Sequence, residues 1–273
     1  MKIAPSTLLA FLFTFLISPL QAADIPLPPA PAWKDLPKQP LSLGEHPGFV
    51  MTPKTAAPGK PWVWRTSFPA YHPEVDIALL EKGFHIAHLD VVAMLGSEPA
   101  LDLMDQFYER VRQNFGLAEK PALEAVSRGG LHAYRYAARH PERIACILAD
   151  VPVLCLASWP LKANAGKPVK DALHFYGFPS EDALRAFRGN PIDLLEPLAK
   201  AKIPLRHLIS LSDRVVPPEE NTLEAQRRLR TLGSDMEVVV IRDPKERLQG
   251  HHFTVPPEEI ERSISFILKH ASP

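Results

Sequence analysis

Three residues far apart in the chain have the types that nucleophilic acyl chemistry requires: Ser127, Asp213 and His251. Ser127 sits in Ala122-Leu123-Glu124-Ala125-Val126-Ser127-Arg128-Gly129-Gly130, where an apolar run leads into small residues and a helical pattern from Leu131 to His140 follows. That order predicts a strand, a sharp turn and a helix, with the central residue in a strained conformation and small residues needed two before and two after it. Ala125 and Gly129 meet the need, with alanine standing where the full Gly-x-Ser-x-Gly pattern has glycine. A serine hydroxyl is a poor nucleophile at neutral pH. It needs an imidazole to take its proton and a carboxylate to fix that imidazole's tautomer and stabilise its charged form.

Each of the three has a rival. Serine is a preferred helix N-cap, so Ser127 could simply cap the following helix. His252 is adjacent to His251 and chemically identical, and residue type alone leaves the two open; the resemblance described below, in which the histidine follows a glycine, implies His251. Asp150, at the end of an earlier strand, competes with Asp213, which is favoured by its Asp-x-Val-Val-Pro context. Arg65 reads either as a clamp for a substrate carboxylate or as a structural arginine paired with Glu124 or Asp90. Glu124 would be a costly charge inside a sheet without a partner, so Arg65 or Arg128 is expected beside it. His72, His132 and His140 read as surface or packing residues, and no histidine pair shows metal-ligand spacing.

The elements that must position these residues alternate along the chain. Strands are expected at Gly48 to Thr52, Trp62 to Arg65, Phe84 to Leu89, the run into Ser127, Arg143 to Val151, Pro204 to Asp213 and Met236 to Ile241. Helices are expected near Glu74 to Lys82 with Gly83 as the stop, after a Ser97 cap with Leu101, Met104, Tyr108, Val111 and Phe115 inward, from Glu219 to Leu232, and around Ile260, Ile264 and Ile267. Such alternation predicts an α/β fold: a mostly parallel, doubly wound sheet with helices on both faces. Ligands in such sheets bind beyond the carboxyl ends of the strands. Residues 156–201 break the rhythm and read as a small helical lid, in which Trp159, Phe175, Tyr176 or Phe187 could line a pocket or pack onto the sheet.

Lys+Arg and Asp+Glu each number 31 among 273 residues, and no polybasic run appears, which argues against a nucleic acid or an anionic membrane as partner. Lys2, the apolar run Leu8 to Leu16 and Gln21-Ala22-Ala23 read as a cleavable export signal over residues 1–23, leaving no stable membrane anchor; an uncut anchor is the alternative. Seven prolines in residues 24–47 predict an extended lead segment, with the main domain at 48–273. Cys146 and Cys155 are compatible with a disulfide in an exported protein or with two buried thiols.

With these residues in view, the chain resembles the α/β-hydrolase superfamily and is similar to exported bacterial serine hydrolases of the dienelactone-hydrolase and prolyl-oligopeptidase branches. Pro61-Trp62-Val63-Trp64-Arg65, Ala125 to Gly130, Asn190-Pro191-Ile192-Asp193, Ser212 to Pro217 and Gly250-His251-His252 carry the resemblance. It implies Ser127 as nucleophile, His251 as general base and acid, Asp213 as orienting acid, and an oxyanion hole from the Arg128 N–H and a second N–H from Arg65 or Thr66. No cofactor or metal is implied. A carboxylic ester, small or on an oligosaccharide, is the implied substrate, with Trp159 and Arg65 as candidate contacts. An aminoacyl or peptide substrate and a non-catalytic binding protein are the alternatives. Ala125, and Phe253-Thr254 after the histidine pair, depart from the pattern in ways that could reshape the pocket.

Overall fold

The computed structural model describes residues 36–243 and 247–272. The expected export signal lies outside these, as does the first half of the proline-rich lead.

The described residues form an eight-stranded sheet in the order β1-β2-β4-β3-β5-β6-β7-β8. Its strands are β1 (Gln39–Pro40), β2 (Gly48–Met51), β3 (Trp62–Arg65), β4 (His85–Leu89), β5 (Ala122–Val126), β6 (Cys146–Asp150), β7 (Leu205–Ile209) and β8 (Glu237–Val240). From β4 to β8 neighbours run parallel, and β1 and β2 are antiparallel at one edge. β3, β4, β5 and β7 are buried along their whole length, as expected of parallel strands covered on both faces.

Side chains alternate across the pleat, so neighbouring residues of one strand serve different layers. Trp62, Trp64, Leu123 and Ala125 face a core shared with α2 (Glu98–Phe115), α3 (Gly129–Arg139), α6 (Leu195–Lys200) and α7 (Thr222–Thr231). Val63, Ala122 and Leu148 face a second core with α1 (Glu74–Glu81) and α8 (Pro257–Ala271). Arg65 and Glu124 lie on that second face, directly opposite one another across β3 and β5.

The interruption between β6 and β7 is built from an irregular coil at Ala157–Lys162, α4 (Lys167–Tyr176) and α5 (Glu181–Ala186) before α6. Leu156, Trp159, Leu161, Val169, Ala172 and Leu184 pack with Leu95, Leu131, Val153 and Val216 in a third cluster beside the first turn of α3. Ser180 caps α5 by accepting the Ala183 N–H at 3.2 Å.

Three expectations shift. Proline-rich residues enter the fold, since β1 pairs with β2 and Leu41 and Leu43 are buried. Ser97 stands at the N-cap of α2 but its hydroxyl makes no capping bond. The helix expected over 219–232 is a 3-10 turn (Pro218–Glu220) and then α7, separated by Asn221. The Asn221 amide accepts the Leu154 N–H at 2.8 Å and donates to Ser158 Oγ at 3.1 Å, so the break clips the insertion to the end of β6. Cys146 and Cys155 are free thiols; burial, then the charge of Glu124, pushes the Cys146 thiol up.

Candidate active site

Strand β5 ends at the centre of the sheet, and Ser127 follows with φ of 52°. A β-carbon there costs on the order of 1–3 kcal/mol, and the surrounding chain holds it in place. The Ser127 N–H donates to Asp150 O at 2.9 Å, and its carbonyl accepts from Val153 N at 2.8 Å and Gly130 N at 3.0 Å. A methyl group on Gly129 would come within 2.0 Å of Ser67 Oγ, which explains why the position after the turn is glycine. Ser67 is needed there: its hydroxyl donates to Val126 O at 2.7 Å and accepts Val126 N–H at 3.2 Å, tying the following loop to the last residue of β5. Ala125 is fully buried and its methyl packs in the core under α3, so the alanine in place of glycine fits without distortion.

Asp213 and His251 arrive on two loops that are stitched together. The Arg214 N–H donates to Gln249 O at 3.0 Å. Gly250 has φ of 84°, and a Cβ on it would meet Ser212 O at 2.4 Å, so only glycine lets the two loops approach. One Asp213 carboxylate oxygen accepts the N–H groups of Val215 and Val216, both at 2.9 Å, and the other meets His251 Nδ1 at 2.7 Å. His251 Nε2 lies 3.0 Å from Ser127 Oγ. Asp213 and His251 are buried while Ser127 is partly open to solvent. The structure thus brings Ser127, His251 and Asp213 into one hydrogen-bonded chain.

The rivals go elsewhere. Asp150 Oδ2 meets His72 Nδ1 at 3.0 Å. His252 is exposed, stacks on His251 at 5.6 Å between ring centres and faces Tyr71; burial and the neighbouring His251 lower its affinity for a proton. Behind this pair lies a cavity of about 210 Å³ lined by residues that include Tyr71, His72, His252 and Phe253. His132 is fully buried one turn into α3, accepting the Gly96 N–H at 3.0 Å, and burial lowers its pKa to about 4. His140 pairs with Asp105 at 2.8 Å.

Arg65 has neither of the roles expected near the substrate. Its side chain is fully buried, bonded to Glu124 Oε1 at 2.5 Å and paired with Asp76 Oδ2 at 3.3 Å. It also donates to Phe68 O at 3.0 Å and to Tyr71 O. Enclosed in this way it is closed off from a substrate carboxylate, and its peptide closes β3 between Glu124 of β5 and His88 of β4. The Thr66 N–H is equally committed, to Glu124 O at 3.0 Å. The next N–H groups, those of Ser67 and Phe68, donate to no described residue, and neither does that of Arg128 at the start of α3. The ladder runs one residue further than the end of the apolar run indicates, which moves the free donors from 65–66 to 67–68.

Trp159, expected near substrate, is buried, and its indole lies 5.1 Å from the Arg128 guanidinium. Phe68 holds the same guanidinium at 5.5 Å from the other loop. Sequence reasoning missed Ser67, Phe68 and Asn221, none of which carries a spacing signal.

No family model matches the sequence, and no curated protein does. Solved structures do match. An acylaminoacyl peptidase in complex with Z-Gly-Gly-Phe-chloromethyl ketone aligns with TM-score 0.62 and 15% identity over 86% of this chain and 41% of that one. An acylaminoacyl peptidase from Pyrococcus horikoshii aligns with TM-score 0.60 and 14% identity over 87% and 42%. MPT51 from Mycobacterium tuberculosis aligns with TM-score 0.62 and 14% identity over 86% and 99%. The chain has the α/β-hydrolase fold. It spans about two-fifths of the length of the two peptidases and nearly all of MPT51. The strand–turn–helix at Ser127 has the geometry that a nucleophile elbow takes in this fold, and the order Ser, Asp, His along the chain is the order that triads on this fold follow.

Proposed function

We propose that this chain is a serine hydrolase that cleaves a carboxylic ester through an acyl-enzyme intermediate. The observation that carries the reading is the relay from Asp213 through His251 to Ser127, at 2.7 and 3.0 Å, ending on a serine held at positive φ. Asp213, with one oxygen fixed by two N–H groups, holds His251 with its Nδ1 protonated, which leaves Nε2 to take the Ser127 proton as Oγ attacks the carbonyl. The charge that develops on the carbonyl oxygen falls to the Arg128 N–H and to that of Ser67 or Phe68, donors already free of other partners. Preformed donors of this kind supply a large part of the rate, about 2.7–4 kcal/mol for one of them. His251 then returns its proton to the leaving alkoxide, and water repeats the sequence on the acyl-enzyme.

Peptide or aminoacyl substrates are the second reading, favoured by the named activity of the acylaminoacyl peptidases of similar fold. A carbohydrate ester and action after export are parts of the proposal that rest on the sequence resemblance and on residues 1–23. Turnover of p-nitrophenyl acetate tests the mechanism. Ser127→Ala should lower kcat by about 10⁴-fold or more, and an unchanged rate refutes the assignment. Comparing acetylated sugars with aminoacyl amides separates the two substrate readings.

A further inference from the structure

Arg128 follows Ser127 directly, and its side chain is held by aromatic rings. The guanidinium lies 5.5 Å from the Phe68 ring and 5.1 Å from the Trp159 ring, one from the loop after β3 and one from the insertion. Two aromatic faces fix a guanidinium and strip water from it without using any of its N–H groups. Among the described residues none accepts a hydrogen bond from it, and no carboxylate pairs with it. Asp171, the acid whose charge bears on it, is engaged by Lys167 Nζ at 2.7 and 2.8 Å. Partial burial without a carboxylate makes its charge harder to keep, which lowers its pKa from the ordinary arginine value.

The other buried arginines near these strand ends have carboxylate partners. Arg65 is bonded as described above. Arg135, about two turns further along α3, donates to Gly96 O at 2.5 Å, Glu98 Oε1 at 2.6 Å and Tyr176 Oη at 3.3 Å. Arg128 therefore stands apart as a half-desolvated, oriented cation with its donors unspent, beside the nucleophile.

We infer that Arg128 binds a carboxylate of the substrate, so that the ester taken by this site also carries an acid group within reach of the scissile carbonyl. Five donors in a planar fork match a carboxylate in two parallel hydrogen bonds. The inference rests on the reading of Ser127 as nucleophile and names the substrate class for that same site.

Two matched pairs of substrates test it. Mono-p-nitrophenyl glutarate against p-nitrophenyl valerate places the charge in the acyl half; 4-acetoxybenzoate against its methyl ester places it in the leaving half. The wild-type protein should favour the charged member of at least one pair. The ratio of kcat/KM, charged over neutral, should fall by about 10- to 100-fold in Arg128→Met, the value of a charge-assisted hydrogen bond. It should fall less in Arg128→Lys, which keeps the charge and loses the fork. The ratio cancels any effect on the Arg128 backbone N–H, which both members use alike. Hydrolysis of all four esters with ratios indifferent to Arg128 overturns the inference and leaves the serine mechanism standing. No hydrolysis of any ester, together with no fluorophosphonate adduct on Ser127, overturns the mechanism and the inference with it.

Discussion

Two arginines at the carboxyl ends of neighbouring elements sit in opposite surroundings. Arg65, the last residue of β3, is enclosed between β5 and α1 with two carboxyl groups and two carbonyls around it. Arg128, one residue beyond Ser127, touches two aromatic rings and has its side-chain donors unspent among the described residues. The first holds the chain together: by bonding Phe68 O and Tyr71 O it shapes the loop that carries the free N–H groups. The second is held by rings alone and ties no other segment of the described chain by a hydrogen bond. A buried charge with a full set of partners is scaffolding, whereas one without partners at the mouth of a site is available to a ligand.

The enclosed region has one more property. One guanidinium faces two carboxyl groups, and burial raises the pKa of Glu124 and of Asp76, with the charge of Arg65 opposing the rise in both. In this enclosure burial favours a proton on the two acids while the guanidinium favours their charge. Its ionic pairs are then a condition of folding rather than a store of stability, because desolvation offsets much of their attraction.

The contrast between the two arginines can be broken by substitution. The largest effect is expected from Arg65→Met, which strands Glu124 and Asp76 without their cation and releases the 66–72 loop; urea unfolding should show a loss of about 3–5 kcal/mol. A loss below 1 kcal/mol would mean that the enclosure is not scaffolding.

Acid should attack the closed interior next. His207 is fully buried between Tyr134 Oη at 2.5 Å and Thr222 Oγ1 at 2.9 Å, and burial lowers its pKa to about 3; that of His132 is lowered to about 4. Both are neutral in the folded chain and take a proton only when it unfolds, so the unfolded state binds more protons below pH 6.5. These two histidines therefore withdraw stability as pH falls from about 6.5 towards 4, by about 2 kcal/mol between pH 6 and 5 together; His85 and His88, also lowered by burial, add to the loss, and the raised carboxyl pKa values of Glu124 and Asp76 oppose it. Chemical denaturation across that range checks the slope, and a flat profile contradicts it.

Glu124→Gln sharpens the comparison further. An amide replaces a carboxyl whose proton burial favours, and the oxygen that Arg65 bonds remains, so the expected change is under about 1 kcal/mol. Arg128→Met is expected to be the mildest for the fold, under about 1 kcal/mol from two lost ring contacts, with thermal unfolding as the measurement. A large destabilisation there would make Arg128 a structural residue like Arg65.

Much of the site could be read from residue types because its geometry makes local demands. The turn at Ser127 requires a residue without Cβ at 129, where Ser67 Oγ stands 2.0 Å from the position a methyl would take. Asp213 was legible from Val-Val-Pro after it, and the structure shows the purpose of that run: the Val215 and Val216 N–H groups aim the carboxylate. His251 was legible from Gly250, whose φ of 84° lets its loop meet that of Ser212. The alternation of strands and helices follows from periodicity, and the sheet it predicts is present. What could not be read depends on register and reach. Nothing in Trp-Val-Trp-Arg tells that Arg65 faces Glu124 across β3 and β5, or that Thr66 extends the ladder and shifts the free donors to 67–68. Asn221 splits an otherwise continuous helical pattern because its amide has partners on a distant loop, which periodicity cannot register.

Peptide mapping by mass spectrometry after exposure to a fluorophosphonate tests the central claim most directly. A single adduct on Ser127, formed quickly in the wild-type protein and slowed strongly by His251→Ala, is the result this account predicts. An unlabelled Ser127, or equal labelling with His251 removed, would contradict it.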